Sequence, residues 1–296
     1  MDSMNSEAQQ PPPCQAPDPN PRKPRFVAPP GMTDTHFHIL GPAALYPYIE
    51  DREYTPPDAT PQAYRHLRET LGIQRAVLVQ TSVYGYDNRC LLESAKQLGI
   101  PSRMVVVAPL SISDVELQGL HDAGARAVRF ILAHKGGLPV HNISAFSARV
   151  KDMGWHLQFL LRPSDLIALE SSLMALPTDL VIDHIALIRP SEGGTQQRAF
   201  QALLRLFRTG RCWIKLSGAY RISSDAPHYR DVMPLVDTLL KERTDRLLWG
   251  SDWPHVMVKD KMPNTTDLLD LLLEWVPDEK VRNQILSANP KELFGF

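Results

Sequence analysis

The chain has 296 residues, 43% of them apolar, with 32 basic against 33 acidic side chains and a formal charge of -1. This is enough apolar material for a large core, and the near-neutral balance excludes both the basic stripe of a nucleic-acid binder and the acidic block of a solvating tail. No apolar run reaches the roughly 18 residues of a membrane span, no secretory h-region opens the chain, and Cys14, Cys90 and Cys212 make neither a disulfide framework nor a CxxC metal site. The expectation is a cytoplasmic enzyme acting on a small molecule, with no nucleic-acid or membrane partner; the pattern sets no oligomeric state.

Residues 1–30 carry Pro11-Pro12-Pro13, Pro17, Pro19, Pro21, Pro24 and Pro29-Pro30. Proline donates no backbone hydrogen bond and continues neither a helix nor an inner strand. With little apolar surface to offset ordering entropy, the stretch is expected to be a disordered, passive tail. From Met32 onward short apolar runs alternate with amphipathic ones. The predicted strands are Met32–His38, Ala76–Gln80, Met104–Pro109, Ala127–Leu132, Leu157–Leu161, Leu180–His184, Cys212–Ser217 and Leu247–Gly250. The predicted helices are Pro61–Leu71, Asp87–Leu98, Ser113–Ala123, Ser144–Met153, Ser164–Leu173, Gln197–Thr209, Tyr229–Lys241, Asp267–Trp275 and Asp278–Ala288. Ser113 followed by Glu116 has capping-box spacing. Nearly continuous apolar strands that alternate with helices argue a parallel sheet with crossovers. Eight such units favour one closed α/β domain over 31–296, a (β/α)8 TIM barrel, and no GxGxxG or GxxxxGK[ST] loop supports an open doubly wound sheet.

Active sites of such barrels lie where the strands end. Strand one ends in Thr33-Asp34-Thr35-His36-Phe37-His38, and strand alternation puts His36 and His38 on one side. Strand six ends in Asp183-His184, and Ser251-Asp252-Trp253-Pro254-His255 follows strand eight. A lone histidine is more often a satisfied core group than a ligand. Three imidazoles and a carboxylate from three strand ends, converging on one rim, form a much more specific pattern.

Asp34-Thr35-His36-Phe37-His38 and Trp249-Gly250-Ser251-Asp252-Trp253-Pro254-His255 resemble the amidohydrolase superfamily. Tyr54-Thr55-Pro56-Pro57-Asp58-Ala59-Thr60-Pro61, Val79-Gln80-Thr81-Ser82, Ala127-Val128-Arg129-Phe130 and Val181-Ile182-Asp183-His184 are similar to its 2-pyrone-4,6-dicarboxylate lactonase branch. The resemblance runs from about Gly31 to the C-terminus. It implies an amidohydrolase-type barrel that opens a carboxylated lactone, with a place in the degradation of aromatic compounds. Asp252 would then be the general base toward water, and His36, His38 and His184 would stabilise the developing oxyanion.

The superfamily's two-metal centre needs a carboxylated lysine at the end of strand four and an imidazole at the end of strand five. Here those ends read Arg129-Phe130-Ile131-Leu132 and Phe159-Leu160-Leu161-Arg162, and Lys135 comes several residues later. The expected cofactor is therefore none. The alternative is one divalent ion such as zinc on His36, His38 and Asp252.

By the same resemblance Arg129 and Arg221 would grip carboxylates with their planar forks, and Tyr54 would line the pocket. Thr81 and Ser82 would offer hydroxyls, and Lys135 stands where the branch has a second arginine. Leu160 and Tyr84 replace a pocket tyrosine and a frequent histidine, so the substrate would be 2-pyrone-4,6-dicarboxylate or a related lactone. A zinc-dependent decarboxylase and a non-catalytic binding barrel are the alternative functions.

Overall fold

The computed structural model describes residues 11–258 and 261–296. Eight parallel strands follow one another in sequence order: β1 Thr33–Phe37, β2 Arg75–Val79, β3 Ser102–Val106, β4 Ala125–Ile131, β5 His156–Leu160, β6 Leu180–Ile182, β7 Cys212–Lys215 and β8 Leu247–Leu248. The ring closes between the segment after β8 and β1. Thr35 donates its N–H to the Trp249 carbonyl at 3.2 Å, Asp252 N–H reaches the His36 carbonyl at 2.7 Å, and His38 N–H reaches the Trp253 carbonyl at 2.8 Å. The TIM barrel read from the sequence is thus the observed fold.

Around it lie α1 Pro61–Leu71, α2 Arg89–Gln97, α3 Asp114–Asp122, α4 Ile143–Val150, α5 Pro163–Met174, α6 Arg198–Arg208, the short α7 Ala219–Ile222, α8 Met233–Glu242, α9 Thr265–Trp275, α10 Glu279–Asn283 and α11 Asn289–Phe294. The Ser113 capping box opens α3 as expected. The helix predicted over Asp278–Ala288 is split: α10 gives way to a π turn over Gln284–Ala288, and α11 follows, without having been predicted.

Strand alternation sorts the interior into storeys. Val77, Val79, Val105, Ala127, Val181, Trp213 and Leu248 pack together inside the barrel, floored by Phe294 of α11. Two residues further along their strands, on the same inward side, stand Arg129, Asp183 and Lys215, all buried. The apolar floor therefore carries a charged layer, and the functional rim sits on top of it. The neighbours that face outward, such as Leu78, Val106, Val128 and Phe159, pack with the helices in the main core.

The Pro-rich stretch departs from expectation where it is described. Thr55 N–H bonds the Pro12 carbonyl at 2.8 Å, Cys14 N–H bonds the Thr55 carbonyl at 2.9 Å, and Met257 N–H meets Cys14 Sγ at 3.3 Å. Further along, Asn264 Nδ2 donates to Asp18 Oδ2 at 2.8 Å, and Arg25 N–H donates to Asp270 Oδ1 at 2.9 Å. Residues 11–30 are thus held along the barrel wall by polar bonds, which need no apolar run in the sequence; the part of the expected tail over 1–10 lies outside the described residues.

Candidate active site

A cavity of about 460 Å³ opens at the C-terminal ends of the strands, and His38, Tyr54, Thr81, Ser82, Arg129, His184, Arg221 and Asp252 line it. His36 is completely buried beside them. Of the residues expected in the site, Lys135 stands apart: its ammonium pairs with Asp51 at 2.7 Å on the surface, with 58% of the side chain exposed. Its neighbour His134 lines the cavity instead.

The backbone aims these groups. Asp252 and His184 both sit in the left-handed region, with φ of 58° and 51°, a costly conformation that a site can retain to point side chains. Gly250 lets β8 pass His36, because a Cβ there would come within 2.6 Å of the His36 Cβ. Asp34 is the clasp between β1 and β8. Its Oδ1 accepts Ser251 N–H at 2.9 Å, and its Oδ2 accepts the Ser251 hydroxyl at 2.6 Å and the Tyr64 hydroxyl at 3.0 Å.

Asp252 has two unlike oxygens. Oδ2 accepts the Tyr220 hydroxyl at 2.6 Å and Arg221 Nε at 2.7 Å. Oδ1 is buried without a hydrogen-bond partner among the described residues. His36 Nε2 and His38 Nε2 each stand 3.8 Å from Oδ1, and His184 Nε2 stands 3.6 Å from Oδ2.

The far ring nitrogens fix the tautomers. His38 Nδ1 lies 2.7 Å from the Val79 carbonyl, an acceptor, so Nδ1 carries the proton and Nε2 presents its lone pair. His36 Nδ1 likewise faces Asp183 Oδ1 at 3.1 Å. For His184, Ser217 Oγ at 2.9 Å can donate to Nδ1, which leaves Nε2–H to point at the Asp252 carboxylate. Two imidazole lone pairs, one free carboxylate oxygen and one imidazole N–H therefore meet at the head of the cavity.

Under them lies a layer that the sequence reading missed. Asp183 accepts Arg129 Nη2 at 3.0 Å, Gln158 Nε2 at 3.2 Å and His36 Nδ1 at 3.1 Å, and Lys215 Nζ lies 3.3 Å from its Oδ1. Lys215 Nζ is also 3.1 Å from His36 Nδ1. A lysine in the apolar run Cys212-Trp213-Ile214-Lys215-Leu216 was the available signal, since a charge in a buried strand requires a partner. Tyr220 and the His134–Glu53 pair, with Nδ1 2.9 Å from Oε2, were also missed.

Burial alone would raise the Asp252 carboxyl, but the Arg221 guanidinium on its Oδ2, with His184 and His36 beside it, holds it well below the usual carboxylate range. Burial depresses the imidazoles, His38 to about 3 and His184 to about 4, and keeps His36 well below its ordinary value. A depressed carboxyl stays ionised until the pH falls through its lowered value, and a depressed imidazole stays neutral over the same window. We therefore expect kcat to stay level from about pH 8 to about pH 5. A kcat that halves near the pH of an ordinary histidine would contradict this assignment.

By donor type the site suits one metal ion. His36, His184 and Asp252 each place a ligand atom within 4.8 Å of the others, with His184 taking the place expected for His38. Two imidazoles and a carboxylate are acceptable zinc ligands. Two ions do not fit, because the fifth strand ends at Leu160 and its one histidine, His156, opens the strand at the opposite end, against Phe294.

Residues 33–296 match the Amidohydrolase family. The chain belongs to that family. It is 37% identical over 290 residues to a 4-sulfomuconolactone hydrolase of Hydrogenophaga intermedia, covering 96% of this chain and 95% of that one. It is 36% identical to a 2-pyrone-4,6-dicarboxylate hydrolase of Comamonas testosteroni, with 93% of each chain covered. Among solved structures, a probable 2-pyrone-4,6-dicarboxylic acid hydrolase of Acinetobacter baumannii with citric acid bound superposes with a TM-score of 0.80 at 29% identity, over 90% of this chain and 100% of that one. Within this amidohydrolase, no helix among the described residues is long and apolar enough to cross a membrane.

Proposed function

We propose that this amidohydrolase is a lactonase that opens a lactone bearing an anionic substituent by general-base activation of water, with Asp252 as the base. The observation that carries the reading is the Asp252 Oδ1 atom, buried without a partner among the described residues and 3.8 Å from two imidazole nitrogens. Relatives that cover nearly the whole chain and are named as hydrolases of anionic lactones support the substrate class.

A water at this point donates one hydrogen to Asp252 Oδ1 and the other to His38 Nε2, leaving a lone pair directed at the substrate carbonyl. This assigns His38 an accepting role instead of the oxyanion-stabilising role expected from the sequence, and leaves the His36 Nε2 lone pair facing the Arg129 guanidinium. Attack forms the C–O bond while Asp252 takes the water's proton. The carbonyl oxygen becomes an oxyanion, met by the His184 Nε2–H and the neighbouring Arg129 guanidinium. The intermediate collapses, the ring C–O bond breaks, and the leaving oxygen takes the proton from Asp252. The product is the ring-opened hydroxy acid or its enol, whose new carboxyl ionises in solvent. Arg221 and Tyr220 hold Asp252 throughout.

A divalent ion on His36, His184 and Asp252 would supply Lewis-acid polarisation of the carbonyl. The proposed steps do not need it, and the surroundings oppose a further dication. Arg129 Nη2 already lies 3.5 Å from the His36 Nε2 lone pair, Arg221 occupies Asp252, and Lys215 backs the layer below. We expect the enzyme to keep most of its activity after exhaustive treatment with a strong chelator, with metal content measured on the same batch against a panel of anionic lactones. Loss of activity on verified metal removal, restored by one equivalent of zinc, would instead place the ion on His36, His184 and Asp252.

A further inference from the structure

The cavity carries a second histidine–carboxylate pair, away from Asp252. His134, on the loop after β4, bonds through Nδ1 to Glu53 Oε2 at 2.9 Å, and Glu53 precedes the cavity residue Tyr54 in the β1–α1 loop. Glu53 Oε1 also accepts the Lys135 backbone N–H at 3.2 Å, so the two loops are tied together at this point. A carboxylate only accepts, so Nδ1 carries the proton and Nε2 is the ring nitrogen left for an occupant of the cavity.

The other cations of the cavity are already engaged or lie at its mouth. Arg129 pairs with Asp183 and is the oxyanion donor in the reading above, and Arg221 pairs with Asp252. Arg189, 61% exposed and 3.8 Å from Glu192, and the exposed Lys261 lie toward solvent, whereas the His134 side chain is 23% exposed. The ammonium expected in this place, Lys135, is turned to Asp51.

On the lactonase reading above, we propose that His134, oriented by Glu53, is the specificity-determining contact for the anionic substituent of the lactone, and that it takes up a proton when that anion binds. A neutral ring would turn the Nε2 lone pair toward the anion and repel it, whereas the protonated ring donates a charge-assisted hydrogen bond. Burial keeps His134 below its ordinary value in the free enzyme; Glu53 pulls it upward, and Arg221 and Arg129 push it down. The ring is therefore neutral before binding, and an incoming negative charge shifts the balance toward protonation.

Isophthalate is a suitable probe, since it is a flat ring with two carboxylates, cannot be hydrolysed and does not titrate near neutrality. Calorimetry in two buffers of different ionisation enthalpy counts the protons bound with it. The wild type is expected to take up about one proton per isophthalate, and binding to tighten as the pH falls. His134→Asn should bind about tenfold more weakly without uptake. Glu53→Gln, a milder change at the other partner, should also lose the uptake, and isophthalamide, a ring of the same shape without the anions, should bind all three proteins alike. For a hydrolysed lactone, His134→Asn should raise KM about tenfold and leave kcat within about twofold, and only when the anionic substituent is present.

Unchanged affinity and uptake in both variants, or failure of isophthalate to bind the wild type, overturns the proposal. Proton-linked isophthalate binding in a protein that turns over no lactone would sink the lactonase reading while leaving this contact standing.

Discussion

Asp252→Asn is expected to fold like the wild type and to lose kcat by about 10²–10⁴-fold. The substitution keeps the shape of the side chain and an oxygen for Tyr220 or Arg221 at the 2.6 and 2.7 Å positions now filled by Oδ2. What it removes is the proton acceptor at Oδ1, since an amide cannot take the water's proton or return it to the leaving oxygen. KM should change less, because Arg129, Tyr54 and His134 still line the cavity. Steady-state kinetics together with a thermal melt checks this. A near-normal rate in a folded variant would remove Asp252 from the mechanism, and a variant that melts much earlier would make it a structural anchor instead.

Asp183→Asn should cause the largest loss of stability. Asp183 is fully buried and pairs with both Arg129 and Lys215 while it fixes His36. Removing its charge leaves two buried cations facing one another, a loss typically worth about 3–5 kcal/mol. Burial would raise this carboxyl on its own, but His36, Lys215 and Arg129 hold it well below the usual range. Burial likewise draws Lys215 down to about 8, a sign of how little solvent reaches the layer. Urea unfolding measures the loss directly. Adding Lys215→Met to Asp183→Asn should recover part of it, because the second change removes one of the stranded cations. kcat should fall as well, since His36 loses the partner that sets its tautomer. If Asp183→Asn unfolds at the wild-type urea concentration, the layer contributes far less than its burial implies.

Much of this enzyme was legible before any coordinates. The alternation of apolar runs with amphipathic stretches gave eight strands in order, because a strand buried on both faces and a helix covering it leave different periods in a sequence. His36, His38, His184 and Asp252 were found because each ends a strand, and barrel topology brings strand ends together whatever their distance along the chain. The split of the last helix and the docking of residues 11–30 were not legible. The segment is held by hydrogen bonds between distant positions, such as Arg25 to Asp270 and Cys14 to Thr55, and the residues of the divided helix likewise bond far along the chain, Ser287 to Pro30 and Asn289 to Leu247; such pairings leave no periodic trace.

The sequence by itself therefore determined the barrel, the rim and which polar groups meet there, since periodicity and strand ends are local properties. Tertiary structure alone decided how those groups are charged and aimed. Asp183 and Lys215 are far apart in sequence, and only closure of the barrel puts them 3.3 Å apart beneath His36. Lys135 and His134 are adjacent, and only the course of the loop after β4 turns the ammonium to Asp51 and the imidazole to the cavity. Protonation and orientation follow from burial and from partners in space, and a one-dimensional pattern does not encode either.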